Sequence, residues 1–477
     1  MFSNSIGRGD VVTPEKFDQL RSLDLAQRDR SGVSWAQTVF GRAVLVTAAM
    51  LPFVLFLMLL RTGLFRDTRR LVLVALVLGL ALAGYFVAGI VGGEARYGVP
   101  VPLAVVLLTI MFDSRIGSFA TITLAMVGGL VFGFDFEFTF ATLVVGVLAV
   151  FSVRDVKNRS QLLMSGAIVV AAYALVLLGY ALLRADPFSA RFASEAVAAL
   201  VNGLLLLLAA PLLWGAERGF GVTTDLTLLE LSDTNRPLLK ELSVRAPGTF
   251  SHVLQVANLA EAAADAVGAN ALRTRVGALY HDIGKMLKPE YFIENQRPGE
   301  NPHEALKPSM SALVIAAHVR DGLDLGREYA LPAVVSDFIG THHGTGVMEF
   351  FYRKAEAQRG PDSPPVDAAD YRYPGPRPFT TEQAIVMLAD SVEAASRSLD
   401  RPTPRRLKAL VDAIVQARIA DGQLDRSALT FQDIDRIKTT FLAMLTGIYH
   451  FRVRYPGQDE EKAVEPEEAF EDEIRDP

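Results

Sequence analysis

The sequence contains no cysteine among its 477 residues. This absence excludes disulfides, thiolate zinc sites and thiol nucleophiles. No histidine precedes His252. Charged residues make up 21% of the whole chain, but few of them lie between Ala43 and Ala216. A composition that is 51% hydrophobic, with a mean hydropathy of +0.28, is too apolar for a wholly soluble or wholly disordered chain. We therefore expect a membrane region followed by a soluble domain.

The chain also lacks a strongly basic segment. Its net charge of −6 comes mainly from residues 457–477, which contain ten Asp or Glu and two Lys or Arg. The rest of the chain is close to neutral, so duplex nucleic acid is not an expected partner. We predict that residues 456–477 form an acidic disordered tail.

Seven apolar runs are candidates for membrane-spanning helices, because a helix needs about 20 apolar residues to cross the hydrocarbon core. They are Ala43–Leu60, Leu71–Val91, Val99–Phe112, Ile116–Gly133, Phe138–Phe151, Leu162–Leu183 and Ala196–Ala216. The third and fifth are short, so the count is six or seven. We predict a seven-helix transmembrane region over residues 43–216, preceded by an extracellular tail over residues 1–42.

The distribution of Lys and Arg indicates the orientation. If the C-terminal half is cytoplasmic, the inside loops carry Arg61, Arg66, Arg69, Arg70, Arg115, Arg154, Lys157 and Arg159. The outside loops carry only Arg96, Arg184 and Arg191, whereas Arg28, Arg30 and Arg42 before the first span favour the opposite orientation. We favour a multi-pass protein of the cell membrane with its N-terminus outside.

The acidic residues of the membrane region are expected in the breaks between spans. They are Glu94, Asp113, Asp135, Glu137 and Glu195. A transporter or channel usually places ionisable residues inside its spans. The pattern therefore favours a membrane anchor and signal-sensing bundle over a transporter.

The C-terminal half is expected to be all-α, since helical patterns follow one another without a convincing strand. Residues 217–248 form a juxtamembrane connector, in which Pro247 breaks the chain, and residues 249–455 form the helical domain. The predicted helices include Ser251–Val267, Ala271–Ile283, Ser309–Val319, Pro332–His343 and Thr381–Leu399. The six prolines of residues 360–378 predict a long structured loop, of the kind that often shapes a site.

Six of the seven histidines lie between residues 252 and 343. We interpret His303 as structural, because it follows Asn-Pro in a loop-like segment. The candidate metal ligands are His252, His281, Asp282, His318, His342, His343 and Asp390. Asp390 joins them because it lies in an apolar helical stretch, where a cation would remove the cost of burying a carboxylate.

Seven ligands from five helices suit two metal ions that share a carboxylate, an arrangement used for displacement at phosphorus. Asp282 is the predicted bridge, because it follows His281 but is turned by about 100° around a helix. One ion would be held by His252, His281 and Asp390. The other would be held by His318, His342 and His343.

The motif His281-Asp-Ile-Gly-Lys285 resembles the signature of HD-domain phosphohydrolases. Further motifs resemble the seven-transmembrane HD family of this superfamily: Pro247-Gly-Thr-Phe-Ser-His252, Thr341-His-His-Gly-Thr345, Met387-Leu-Ala-Asp-Ser391 and Pro374-Gly-Pro-Arg-Pro378. Characterised members are membrane-bound cyclic-di-AMP phosphodiesterases. The resemblance implies a cytoplasmic HD domain whose two divalent ions, iron or manganese, serve to hydrolyse cyclic-di-AMP to the linear dinucleotide pApA.

Two departures from the family pattern are present. Many relatives have two adjacent histidines where this chain has Ser251-His252. Relatives also carry a large extracellular domain, of which only Gly9–Leu20 resembles the end. We therefore expect a chain that lacks most of that domain.

Catalytic roles are assigned to Asp282 and Lys285. Lys285 is expected to stabilise phosphate charge or assist the leaving group, with an exposed helix-end lysine as the alternative. Arg397, two turns after Asp390, is predicted to bind a second phosphate.

Three alternatives remain: turnover of another cyclic dinucleotide or nucleotide phosphate, a nucleotide-binding receptor without turnover, and a transporter. The lipid bilayer and a cyclic dinucleotide are the expected partners, and a homodimer is compatible with the sequence, which leaves the oligomeric state open.

Overall fold

The computed structural model describes residues 11–30, 35–154, 156, 158, 160–185, 187, 189–297, 299–360, 364–399 and 402–449. Within these ranges all regular structure is helical, apart from one isolated antiparallel bridge between Val347 and Arg372. The all-α prediction is confirmed. The acidic tail predicted for residues 456–477 lies outside the described residues.

The chain divides into two compact units, residues 1–230 and 231–477. In the first unit the α-helices are α1 (Pro14–Arg30), α2 (Trp35–Leu60), α3 (Thr62–Arg66), α4 (Thr68–Val91), α5 (Val101–Met111), α6 (Ser114–Val131), α7 (Phe136–Ser152), α8 (Ser160–Leu183), α9 (Ala190–Leu205) and α10 (Ala209–Phe220), with 3₁₀ helices at Gly93–Gly98 and Leu206–Leu208. Helix α11 (Asp225–Leu231) ends at the division between the units.

Six helical segments of the described chain are long and apolar enough to cross a membrane. They are Trp35–Leu60, Thr68–Val91, Gly93–Met111, Ser114–Val131, Ser160–Leu183 and Ala190–Phe220. The remaining predicted span corresponds to α7, an apolar helix of 17 residues. The described residues therefore contain six candidate spans and one shorter apolar helix, and the chain is a multi-pass membrane protein.

Acidic side chains begin several of these helices. Asp67 accepts hydrogen bonds from the backbone N–H groups of residues 69 and 70 at the start of α4, and Asp113 and Asp135 cap α6 and α7 in the same way. A carboxylate at this position satisfies N–H groups that have no partner within the helix. Capping therefore explains why these acids lie in the breaks between spans.

Glu195 does not lie in such a break, and that prediction was wrong. It lies inside α9 and is fully buried. Its Oε1 is 3.1 Å from Nη1 of Arg184 and 3.0 Å from Nε of Arg191. These two guanidinium groups compensate the buried charge, so the helix begins earlier than the apolar run suggested.

In the second unit the α-helices are α12 (Pro237–Arg245), α13 (Pro247–Val267), α14 (Ala271–Tyr280), α15 (Pro308–Glu328), α16 (Ala333–Thr341), α17 (Glu349–Ala357), α18 (Thr381–Arg397), α19 (Pro404–Ala420) and α20 (Phe431–Ile448). Short 3₁₀ helices lie at Ile283–Leu287, Pro289–Tyr291, Ile293–Asn295, Pro302–Glu304 and Ala368–Tyr371. Pro247 starts α13 instead of breaking the chain before it, because a proline is tolerated where no N–H is needed.

Helix α14 ends three residues earlier than predicted, at Tyr280, so Asp282 is not on an α-helix. The backbone turns there and continues as the 3₁₀ helix Ile283–Leu287. Gly284 lies against α15: a Cβ atom at this position would be 2.0 Å from the carbonyl oxygen of His318 and 2.5 Å from the backbone nitrogen of Gly322. Only glycine allows this approach, which brings the turn after α14 next to the middle of α15.

Candidate metal centre

Five elements of the second unit carry the predicted ligands. His252 lies in α13, His281 follows the last residue of α14, and Asp282 lies in the turn after it. His318 lies in the middle of α15, which continues beyond it to Glu328 instead of ending there as predicted. The remaining ligands are His342 and His343, directly after α16, and Asp390 in α18.

The structure brings these seven side chains together in two groups that share Asp282. One group contains His252, His281, Asp282 and Asp390, and the other contains Asp282, His318, His342 and His343. In each group the potential ligand atoms all lie within 4.8 Å of one another. This is the division expected from the sequence.

Asp282 directs one carboxylate oxygen toward each group. Its Oδ2 lies 3.2 Å from Nε2 of His281 and 3.5 Å from Nε2 of His252. Its Oδ1 lies 3.4 Å from Nε2 of His318 and 3.5 Å from Nε2 of His342. The carboxylate therefore has the geometry of a bridge between two cations.

Three of the histidines are oriented by the main chain of their own helices. Nδ1 lies 2.6 Å from the carbonyl oxygen of Ala278 for His281, 2.6 Å from that of Ile315 for His318 and 2.9 Å from that of Ile339 for His342. A carbonyl can only accept, so each Nδ1 carries the proton. Each Nε2 is left free to bind a metal.

The buried polar atoms of this cluster fit a cation. Nε2 of His281 and Oδ1 of Asp282 are buried and have no hydrogen-bond partner among the described residues. Leaving such atoms unpaired is costly. Imidazole and carboxylate donors together suit zinc, iron or manganese, so the cluster could bind metal.

The two groups differ in the electrostatic environment of their histidines. Burial by itself lowers the pKa of His281, but Asp282 and Asp390 outweigh it and raise the pKa to about 9. In the other group, burial lowers the pKa of His318 to about 3. Burial also lowers the pKa of His343 well below its ordinary value, and the neighbouring His342 adds to the shift.

The two aspartates are held in the ionised form. Burial opposes the charge of Asp282, but Lys285 and His281 lower the pKa of its carboxyl group well below the usual range. Burial also opposes the charge of Asp390, but the nearby His252 and His281 lower the pKa of its carboxyl group well below the usual range. Both carboxylates are therefore available as metal ligands at neutral pH.

Lys285 lies beside the bridge and is not an exposed helix-end lysine. Its Nζ is 2.8 Å from Oδ2 of Asp282 and 3.0 Å from Oε1 of Glu294. Burial lowers the pKa of this amine, but the two carboxylates outweigh burial and raise the pKa above its ordinary value. Glu294 also accepts a hydrogen bond from Thr249, which ties the segment after the 3₁₀ turn to the start of α13.

Arg397 lies in the cavity wall, and its guanidinium group is bonded to Glu393. Glu393 was not singled out from the sequence, yet its other carboxylate oxygen contacts His252. The available signal was its position three residues after Asp390, which puts both carboxylates on one face of α18.

His303 lies apart from the cluster, with Nε2 2.8 Å from the carbonyl oxygen of Tyr291, as the structural interpretation expects.

A cavity of about 1310 Å³ opens onto the cluster. Its lining includes basic and aromatic side chains besides the ligands: Lys285, Phe292, Phe350, Arg372, Tyr373, Arg397 and Arg418. Tyr373 belongs to the proline-rich loop that was expected to shape a site, and its ring stacks on His343 with 4.1 Å between centroids. The cavity can accept a ligand that combines phosphate with planar rings.

An all-helical unit with a buried His-Asp cluster after a set of apolar helices defines a membrane protein with an HD-type domain. Residues 36–224 match the family described as "7TM receptor with intracellular HD hydrolase", and residues 249–395 match the HD domain. The chain belongs to the seven-transmembrane HD family, as its motifs predicted.

Two curated relatives carry the name cyclic-di-AMP phosphodiesterase PgpH. The protein of Bacillus subtilis (strain 168) is 37% identical over 371 residues, which are 76% of this chain and 51% of the relative. The protein of Listeria monocytogenes serotype 1/2a (strain 10403S) is 39% identical over 367 residues, 75% of this chain and 50% of the relative. The chain thus spans about half the length of these relatives.

A solved structure is also similar in sequence. It is the HD domain of the L. monocytogenes phosphodiesterase PgpH in complex with cyclic-di-AMP, which is 47% identical. The match covers 46% of this chain and all of that chain, with a TM-score of 0.43.

Proposed function

We propose that the chain is a metal-dependent phosphodiesterase that hydrolyses cyclic-di-AMP to linear pApA on the cytoplasmic side of the membrane. The observation that carries the proposal is the position of Asp282 in both ligand groups. Two ions that share a carboxylate form a site suited to displacement at phosphorus. The names of the curated relatives support cyclic-di-AMP as the substrate.

The ligand sets follow from the two groups. His252, His281, Asp282 and Asp390 would hold one ion, and Asp282, His318, His342 and His343 would hold the other. Iron or manganese is the proposed metal, because both accept mixed imidazole and carboxylate donors. When bound, the pair supplies Lewis acidity toward phosphate oxygens and a lowered pKa for water.

Lys285 is the proposed hydrogen-bond donor to the substrate, and its ammonium group supplies positive charge beside the phosphate. Its ammonium group is already positioned by Asp282 and Glu294, so it loses little freedom when a phosphate arrives. In this position it can donate a hydrogen bond to a non-bridging phosphate oxygen or to the departing 3′ oxygen. Either contact stabilises charge that develops as the phosphodiester bond breaks.

The rest of the cavity suits a molecule with two phosphates and two bases. Arg397 and Arg418 also line the cavity, and we assign the second phosphate to them, with Arg397 as the predicted contact. Tyr373 and Phe350 offer aromatic surface for a base. The metal ligands themselves do not select the base, so the purine preference rests on the relatives.

The proposed orientation places the N-terminus outside and the HD unit in the cytoplasm. The arginines of the outer loops are paired with acids: Arg96 with Glu94 and Asp135, and Arg184 with Glu137 and Glu195. The proposed orientation rests on the count of basic residues, because the inner loops carry eight Lys or Arg and the outer loops carry three.

The test is a turnover panel on the purified full chain loaded with iron or manganese. Cyclic-di-AMP, cyclic-di-GMP and guanosine tetraphosphate are supplied separately, and products are identified by mass spectrometry. We expect pApA from cyclic-di-AMP at the highest kcat/KM. Faster turnover of another nucleotide would reassign the substrate, and stoichiometric binding without product would favour a receptor.

A further inference from the structure

We propose that Glu393 is a positioning residue that holds His252 in its metal-binding orientation, with Arg397 as its counter-ion. The inference rests on the metal centre of the proposed function. It adds a residue that acts through a ligand and touches neither a metal nor the substrate. It also assigns Arg397 a structural partner besides the predicted phosphate.

The contact between Glu393 and His252 is short and buried. Oε2 of Glu393 lies 2.5 Å from Nδ1 of His252, and the Glu393 side chain is 1% exposed. A carboxylate can only accept this hydrogen bond, so Nδ1 carries the proton. Nε2 then faces the shared site, 3.1 Å from Oδ1 of Asp390 and 3.5 Å from Oδ2 of Asp282.

His252 differs in this respect from the three histidines that the main chain orients. His281, His318 and His342 direct Nδ1 to a carbonyl of their own helix. Their orientation therefore survives changes in neighbouring side chains. Nδ1 of His252 instead contacts a side chain, Glu393, which lies in another helix 141 positions along the chain.

Arg397 offsets the free-energy cost of burying the Glu393 carboxylate. Nε and Nη2 of Arg397 lie 2.6 Å and 2.5 Å from Oε1 of Glu393, one turn earlier in α18. A paired and hydrogen-bonded carboxylate can remain ionised in a buried position. Oε1 is occupied by Arg397, which leaves Oε2 for His252.

A carboxylate behind a ligating histidine fixes its tautomer and its ring orientation and raises its basicity. Loss of such a partner typically costs about 10–100-fold in metal affinity. Because Glu393 contacts only His252 among the ligands, we expect the loss in the group that contains His252. The group that contains His318, His342 and His343 should keep its metal.

The experiment measures manganese binding by the full-length Glu393→Gln variant, which keeps the side-chain shape and removes the charge. Equilibrium dialysis across a range of free Mn²⁺ gives the stoichiometry and the two affinities. Glu349→Gln is the matched control, because Glu349 also lines the cavity but is 62% exposed and pairs with Arg353. Thermal unfolding of the metal-free proteins reports whether the variants fold.

We expect Glu393→Gln to bind one Mn²⁺ as tightly as the unsubstituted protein and the second at least 10-fold more weakly, and to keep a cooperative thermal unfolding transition. Two unchanged affinities would overturn the proposal. An equal loss at both groups would also overturn it, because it would indicate a structural role. If Glu393→Gln does not fold, Glu393→Asp serves instead, because the shorter side chain withdraws the carboxylate from Nδ1 of His252: weaker binding of one Mn²⁺ alone supports the proposal, and two unchanged affinities or an equal loss of both overturn it.

The result of the Glu393 experiment can be distinguished from the result of the test of the proposed function. If the unsubstituted protein binds two Mn²⁺ but does not hydrolyse any cyclic dinucleotide, the proposed activity fails and the effect of Glu393 on metal affinity can still be measured. If the unsubstituted protein binds no Mn²⁺, both proposals fail.

Discussion

Nζ of Lys285 lies 2.8 Å from Oδ2 of Asp282, the carboxylate that both ligand groups share. The ammonium group therefore lies beside the expected position of the phosphate and also reduces the negative charge of the ligand set. The first effect favours catalysis, whereas the second weakens the attraction of the ligand set for metal ions. A substitution at Lys285 can separate them.

We predict that Lys285→Met lowers kcat by about 10²–10³-fold, because a donor to developing charge is lost, while bound metal stays the same or increases. Steady-state kinetics and metal analysis on the same preparation check this. Lys285→Arg, which keeps the charge, should retain more activity. A variant that loses metal in parallel with kcat would show that Lys285 supports the ligands and not the substrate.

Asp282→Ala should abolish hydrolysis and remove most bound metal, because both ligand groups lose a member. Elemental analysis of the purified variant gives the metal content, and mass spectrometry gives the product. Asp337→Ala is a control at a half-buried aspartate of α16 outside both groups. Full hydrolysis by Asp282→Ala would contradict a centre with two metals.

Metal binding to the two groups should differ in its dependence on pH. Burial and the neighbouring aspartates leave His281 with a pKa of about 9, so below pH 9 a metal ion must displace its proton. His318, with a pKa of about 3, is already neutral at pH 7. We predict that affinity at the His281 group rises with pH toward 9, whereas affinity at the His318 group is flat above neutral pH.

Calorimetric titration of Mn²⁺ at pH 7.5 in two buffers of different ionisation enthalpy measures the protons released. We expect release of about one to two protons for one binding event and close to none for the other. Equal proton release for both events would contradict the difference between the two groups.

Gly284→Ala should destabilise the second unit, because the added Cβ would collide with the carbonyl oxygen of His318. Backbone atoms cannot move aside cheaply, and overpacking of this kind costs about 1–3 kcal/mol. A lower thermal midpoint and a lower metal content would be the readouts. Gly447→Ala in α20 is the control, since nothing lies within 4 Å of a Cβ there.

The absence of cysteine makes the membrane orientation directly testable. Single cysteines at Ala190, at the start of α9, and at Asn158, before α8, lie on opposite sides of the membrane in the proposed orientation. A membrane-impermeant maleimide should label Ala190→Cys in intact cells and Asn158→Cys only after lysis. The reverse pattern would place the HD unit outside.

Much of the fold follows from sequence periodicity. Along α13, the positions that share a face with His252, namely Val256, Leu259 and Ala263, are all buried. The end of α14 could not be predicted in this way, because Ile283 and Met286 are as buried as a continuing helix would make them. The change to a 3₁₀ turn accompanies a contact between Gly284 and α15, and periodicity contains no information on such distant contacts.

The same limit explains why Glu393 was missed. Its spacing from Asp390 predicts a shared helix face, but a glutamate near a helix end is more often solvated. What distinguishes Glu393 is the approach of His252 from another helix. The five histidine ligands could be recognised because histidine is rare in this chain, and the two aspartates could be recognised from their motifs.

The main-chain anchoring of His281, His318 and His342 affects which substitutions such a metal centre can accept during evolution. Substitutions around these rings should leave their orientation intact, because a main-chain carbonyl holds each Nδ1. Position 393 is different: one exchange there weakens one ion site while every coordinating residue is retained. A homologue with a complete ligand set but another residue at this position would make a good natural candidate for a sensor that binds its messenger and cuts it slowly.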